Sequence, residues 1–281
     1  MKYILPLLLI FRLAFAQQPK PTDCNTIFLC VDPETYQNIF LNSFIKDTLF
    51  VCRESSTKTN IDSYQAKYLI GKSATIELFQ PQETGKFGDQ LGDFGLEFKT
   101  RQIGEQQKLI RLAQQKGIVL TTENIKLQDS IPWYTSVKLT KNQTNLELSN
   151  IEYQNQYLAY LGFTGDQIKQ EMTFEDFNKK MSKGRNYPRA FSNFESISIR
   201  INKKDFKYLE DFCLLHQMKK TKNAFKGNGF SIYYNFDAQM NSVAIINLKF
   251  KLIHTYPDKK INLSSHVVLQ IHRNSGIFLF Q

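Results

Sequence analysis

The chain has 281 residues, 42% of them hydrophobic, with 23 Phe and 13 Tyr; that is material for one large or two modest cores and excludes a disordered or low-complexity protein. Its net charge of +10 comes from 36 Lys and Arg against 26 Asp and Glu; lysines recur in separated pairs (Lys179-Lys180, Lys203-Lys204, Lys219-Lys220, Lys259-Lys260), with no dense basic tract and no nucleic-acid-binding motif. A solvated basic surface is the simpler reading, and specific nucleic-acid binding is not expected.

Residues 1–16 read as a secretory signal peptide: Lys2 gives a basic start, Ile4 to Phe11 is apolar, and Ala14-Phe15-Ala16 is a small-x-small cleavage pattern before Gln17. The apolar run is well short of the roughly 20 residues that a spanning helix needs. No later segment is apolar enough to span, so a secreted product without a membrane span is expected. Asn142-Gln-Thr144 and Asn262-Leu-Ser264 are glycosylation sequons in keeping with that route. Cys24, Cys30, Cys52 and Cys213 form an even set able to make up to two disulfides, and their spacing leaves all three pairings open.

From Thr26 to Val31 the chain alternates as a strand. Asp32-Pro33-Glu34 then supplies an N-cap carboxylate, a proline at the first helical position and an acid in the first turn, and Tyr36, Ile39, Phe40 and Phe44 recur at helical spacing. Strands are expected from Thr48 to Cys52, from Ser63 to Ile70 and from Ala74 to Phe79, the last two joined at Gly71-Lys72. Glu77 stands in the middle of the last strand, where a carboxylate is costly unless something pairs with it.

The same order then repeats. Phe94, Leu96 and Phe98 mark a strand, and Ile103 to Gly117 reads as a helix with Leu109, Ile110 and Ala113 inward and Gly117 at its stop. Strands follow from Ile118 to Leu127, Trp133 to Thr140 and Leu146 to Tyr153. This is a repeat of architecture rather than of sequence. A polar helical connector over 159–194 contains Thr173-Phe-Glu-Asp176, a reciprocal helix cap. In the third unit a strand from Ser196 to Ile201 and a helix from Lys203 to Met218 precede strands from Phe230 to Phe236, Ser242 to His254, Ile261 to Ile271 and Gly276 to Phe280. The expected fold is α+β, built of repeated βαβββ units that form cupped mixed sheets: a paired domain over 24–158, the connector, and a C-terminal βαβββ-like unit over 195–281.

Six segments carry a family resemblance: Asp32-Pro-Glu-Thr-Tyr36, Tyr68-Leu-Ile-Gly71, Thr75-Ile-Glu-Leu-Phe79, Gly92-Asp-Phe-Gly-Leu-Glu97, Pro132-Trp133-Tyr134 and Ile151-Glu-Tyr153. In this order and spacing they resemble a domain-of-unknown-function family with the layout of the vicinal oxygen chelate, or glyoxalase/bleomycin-resistance-like, superfamily. The resemblance implies two units closing over a shared cavity. Catalytic members of that superfamily hold a divalent metal with residues from the first and last strand of each unit, which points here to Thr26, Glu77, Asp93 and Glu152. Glu77 and Glu152 match the pattern, whereas Thr26 and Asp93 stand where histidine is usual. A metal held by Glu77, Asp93 and Glu152 without an imidazole would be Mg²⁺, Ca²⁺ or Mn²⁺, and one glutamate would be free to act as a base.

Tyr68 and Trp133 complete the candidate ligand pocket, because aromatic walls with a few polar groups are typical of such sites. The four histidines, His216, His254, His266 and His272, all lie in the third unit. His266 and His272 alternate with apolar residues and share a face with Ser264 and Gln270, which reads as the solvent side. No G-x-S-x-G, phosphate-binding glycine loop or Cys-x-x-Cys is present. The expected activity is small-molecule binding in the cup. Two other readings stay open: a metal-dependent lyase, isomerase or dioxygenase, and a structural or interaction protein whose own aromatics fill the cup.

Overall fold

One strand–helix–three-strand unit, used twice, builds the first sheet. The computed structural model describes residues 19–20, 22–140, 145–183 and 187–281; the expected signal peptide and the Asn142 sequon lie outside the described residues. In the first unit β1 (Asp23–Cys30) leads into α1 (Pro33–Leu41). Asp32 caps the helix as its sequence demands, with Oδ1 accepting from the Thr35 amide at 2.9 Å. Residues Ile45–Leu49 form a single π turn, so the strand expected from Thr48 begins later, as β2 (Val51–Lys58). With β3 (Ser63–Ile70) and β4 (Thr75–Phe79) it forms an antiparallel meander, and β4 returns to pair parallel with β1.

The second unit runs β5 (Phe94–Lys99), α2 (Glu105–Gln115), β6 (Leu120–Leu127), β7 (Ile131–Leu139) and β8 (Leu146–Tyr153), with β8 parallel to β5. Gly117, at φ +67°, ends the α2 turn in the left-handed conformation that glycine tolerates without steric cost. Antiparallel pairing of β1 with β5 joins the units into one eight-stranded sheet of order β2-β3-β4-β1-β5-β8-β7-β6. Ile27, Leu29, Ile76, Leu78, Leu96 and Leu148 all belong to the main core. Period-two alternation sends their neighbours to the opposite face, and among these Thr26, Thr75, Glu77 and Glu97 line the cup.

Between the second and third units lie α3 (Asn155–Tyr160), which starts before the expected connector, α4 (Gly165–Lys169) and α5 (Phe174–Ser182), the last begun by the reciprocal Thr173–Asp176 cap. This segment does more than link. Tyr157, Phe163, Phe174 and Phe177 belong to a small second core packed against Trp133 and Tyr153, which lays α5 across the cup.

The third unit comprises β9 (Phe191–Ile201), α6 (Lys203–Leu215), β10 (Lys219–Lys220), β11 (Ala224–Lys226), β12 (Ser231–Phe236), β13 (Ala244–Asn262) and β14 (Val267–Phe280). Its sheet order is β10-β11-β12-β9-β13-β14, and the parallel β12–β9 pair reproduces the β4–β1 pair. β13 lies antiparallel to β9, as β5 does to β1, so the β13–β14 hairpin stands where a fourth unit would begin. Where the sequence suggested breaks near residues 255–260 and 272–275, both strands continue. Register shifts between Lys251 and Lys259 disturb the alternation without ending the pairing.

Phe50, Phe191, Phe250 and Phe278 interlock where the two sheets meet, with Phe50 and Phe191 centroids 5.1 Å apart. Ser264, expected on the solvent side, is buried: its Oγ lies 3.1 Å from Asp32 Oδ2 and ties the third unit to the α1 cap. All four cysteines are free thiols. No helix among the described residues is long and apolar enough to cross a membrane.

Candidate functional site

Strand register decides which side chains meet in the cup. Thr26 lies opposite Thr75 on β4 and opposite Glu97 on β5; Glu77 lies opposite Tyr68 on β3, and Tyr134 on β7 opposite Tyr153 on β8. Directly opposed residues share a face. These residues, with Lys99 and Trp133 and with Phe174 and Phe177 from the connector, line a cavity of about 270 Å³. Gly95 sits on the same face, and a Cβ there would stand 2.1 Å from the Phe28 ring. The glycine is what lets Phe28 lie across the β1–β5 seam.

Glu77, Glu97 and Lys99 form the floor. Burial, and then the neighbouring Glu97 charge, push the Glu77 carboxyl up to about 7, while a hydrogen bond from Tyr68 and the Lys99 charge oppose the rise. Burial also raises the Glu97 carboxyl, against the Lys99 charge and a Thr26 hydrogen bond. Lys99 Nζ donates to Thr26 Oγ1 and to Tyr153 Oη, each at 3.2 Å, and lies 3.8 Å from Glu97 Oε2. Its ammonium also stands 4.5 Å from the Phe174 ring centroid. Burial lowers its proton affinity, which the two carboxylates partly restore. A carboxyl held near neutrality beside a buried cation exchanges a proton readily at physiological pH.

Thr26, Tyr68, Glu77 and Trp133 all reach this cavity. Asp93 does not. It precedes β5, and its Oδ2 accepts from the Gly88 amide at 2.8 Å and the Gln90 amide at 3.2 Å, fastening the glycine-rich turn. Glu152 has the opposite parity to Ile151 and Tyr153 and faces α2, where its two oxygens accept from the Gly104 and Gln106 amides at 2.9 Å and from Thr100. A one-residue step along a strand reverses the face.

The expected set of Glu77, Asp93 and Glu152 is therefore not brought together, and no cluster of three or more metal-ligating side chains forms among the described residues. The residues that do meet do not fit a divalent ion, because the Lys99 ammonium is paired with Glu97 and leaves Glu77 as a single carboxylate where such an ion takes several oxygen ligands. Glu97 and Lys99 were missed as site residues, yet both were signalled. They follow Gly95 at spacing two, on a strand whose other residues are apolar.

None of the four histidines lines the cup. His216 is buried against Phe98 and Phe212, with Nδ1 2.6 Å from Thr22 Oγ1, and burial pulls it down to about 3. His272 is exposed and pairs with Asp258 at 2.8 Å.

Three comparisons place this architecture among known proteins. A hypothetical protein from Staphylococcus aureus matches at 10% identity and a TM-score of 0.51, over 85% of this chain and 94% of that one. Homoprotocatechuate 2,3-dioxygenase from Arthrobacter globiformis gives 11% identity and 0.37, over 81% of this chain and 64% of that one. The Mn(II)-bound glyoxalase from Novosphingobium aromaticivorans gives 7% and 0.40, over 82% and 64%. At such identities the likeness concerns the fold alone. No curated protein matches this chain. A family model for a family of unknown function, DUF5829, matches residues 24–280, and the chain belongs to that family.

Proposed function

We propose that this protein is secreted and binds a small molecule in the cup between its first two units. The observation that carries the binding reading is the convergence of Glu77, Glu97 and Lys99 on the floor of a cavity walled by Tyr64, Trp133, Tyr134 and Phe174. Apolar walls with a few convergent polar groups are the usual make-up of a ligand site, and about 270 Å³ is near the small end of such sites. The open volume speaks against a cup filled by its own aromatics. The diverging carboxylates speak against the metal-dependent reading.

Ligand-observed NMR of a fragment library tests the proposal, run on the wild type and on Thr75→Trp, which fills the cavity from β4. Hits that bind the wild type and vanish with Thr75→Trp are expected. Hits that bind both equally would place recognition outside the cup and sink the reading. Expression in a eukaryotic host with and without residues 1–16 tests secretion, since the product reaches the medium only in the first case.

A further inference from the structure

Within the cup, the charges do not balance. Lys99 is engaged by Glu97, Thr26 and Tyr153, and Glu147 on β8 is held by Lys138 at 3.0 Å. Arg53 on β2 lies at the exposed mouth, 6.0 Å from the Tyr68 ring centroid. Among the described residues no cation stands within ion-pair distance of Glu77, whose one hydrogen-bond partner on the floor is the Tyr68 hydroxyl. The floor thus has two carboxylates for one ammonium.

The walls suit the same kind of ligand. Ring faces carry the negative part of the aromatic quadrupole and attract cations within about 6 Å. This wall already does so for one ammonium, since Lys99 Nζ lies 4.5 Å from the Phe174 centroid and 5.2 Å from that of Tyr153. Tyr64, Trp133, Tyr134 and Tyr157 continue the wall around the rest of the cavity.

We propose that the cup recognises a small organic cation, with Glu77 as its counter-ion and the aromatic wall as its cage. The inference rests on the reading of the cup as a ligand site and adds the ligand's charge. Size restricts the ligand further, because about 270 Å³ admits a compact amine or quaternary ammonium group rather than a polymer.

Binding is then linked to protons. The groups facing Glu77 are Tyr64 and Tyr68 from β3, Glu97 and Lys99 from β5, Tyr134 from β7 and Tyr153 from β8. The tyrosines stay neutral, since burial raises each of them, so Glu77 is the group whose charge changes near neutrality. A bound cation favours its ionised form, so binding releases a proton and strengthens as pH rises through about 7.

Trp133 is the single tryptophan of the chain and stands in the wall, so its fluorescence reports occupancy directly. Three probes that share a benzyl group and differ in charge are titrated: benzyltrimethylammonium, benzyl alcohol and phenylacetate. The cation is expected to bind at least about tenfold more tightly than either other probe, with affinity rising about tenfold from pH 6 to pH 8. Glu77→Gln should lose that advantage at pH 8 without a lower melting temperature. The charge order and pH response of the wild type decide the matter even if the variant fails to fold. Equal or tighter binding of the alcohol or of phenylacetate would overturn the cation inference and leave the cup a ligand site. Absence of binding by all three would overturn it as well, and the fragment screen would then judge the cup by itself.

Discussion

Glu97 stands opposite Thr26 across the antiparallel β1–β5 seam, and Lys99, two residues further along β5, reaches back to donate to the Thr26 hydroxyl at 3.2 Å. One register therefore brings a carboxylate, an ammonium and a hydroxyl together at the junction of two units. The junction is also where Glu77 arrives from β4, on the far side of β1. The electrostatics of the cup follow from this seam, and so do most of the expected responses to mutation.

Glu77→Gln should stabilise the protein at neutral pH. The folded state holds this carboxyl at about 7 against an ordinary value of 4.5, so its contribution is fully present below about 4.5 and is lost as pH rises through about 7. Allowing for partial solvation, the variant should gain on the order of 1–2 kcal/mol at pH 8 and nothing near pH 4. Melting temperatures of both proteins across that range check the sign; a variant less stable at pH 8 would contradict it.

Lys99→Met should do the reverse. It leaves Glu97 buried without its cation and withdraws the donor shared by Thr26 and Tyr153, at a cost of about 3 kcal/mol at pH 7. Adding Glu97→Gln removes the orphaned charge and should recover much of the loss. Chemical denaturation of the two single variants and the double variant forms the cycle that measures the coupling.

His216 governs the acid side. Its ring is held neutral by burial, down to about 3 from an ordinary 6.5, so its contribution is fully present above about 6.5 and drains away as pH falls toward 3. The melting temperature of His216→Gln should therefore fall less than that of the wild type between pH 6.5 and pH 4. A parallel fall in both proteins would show that His216 is not the group being protonated.

Glu152→Ala should weaken the fold and spare the cup. Its oxygens satisfy the Gly104 and Gln106 amides at the start of α2, a capping role worth about 1–2 kcal/mol. Probe binding followed through Trp133 should be unchanged while the melting temperature drops. Loss of binding at full stability would return Glu152 to the site.

Much of the architecture was legible in the sequence. Asp32-Pro33 announced α1, the Thr173–Asp176 pair announced α5, and alternation around Ile76, Leu96 and Leu148 announced the strands of the central sheet. These signals are local, since a cap or a period-two pattern involves residues a few positions apart. Short elements such as β10 and the π turn at Ile45–Leu49 carry no such pattern and were not legible.

The cup was only half legible, for a related reason. The sequence determined that Glu77 interrupts an apolar strand and that Trp133 and Tyr134 lie beside one another. It did not determine which glutamates share a cavity, because that depends on register across strands far apart in the chain. Tertiary pairing set Glu97 against Thr26, turned Glu152 toward α2, and laid Phe174 and Phe177 over the opening. The physical reason is the pleat: each residue step along a strand exchanges faces, so only the assembled sheet decides which charges meet.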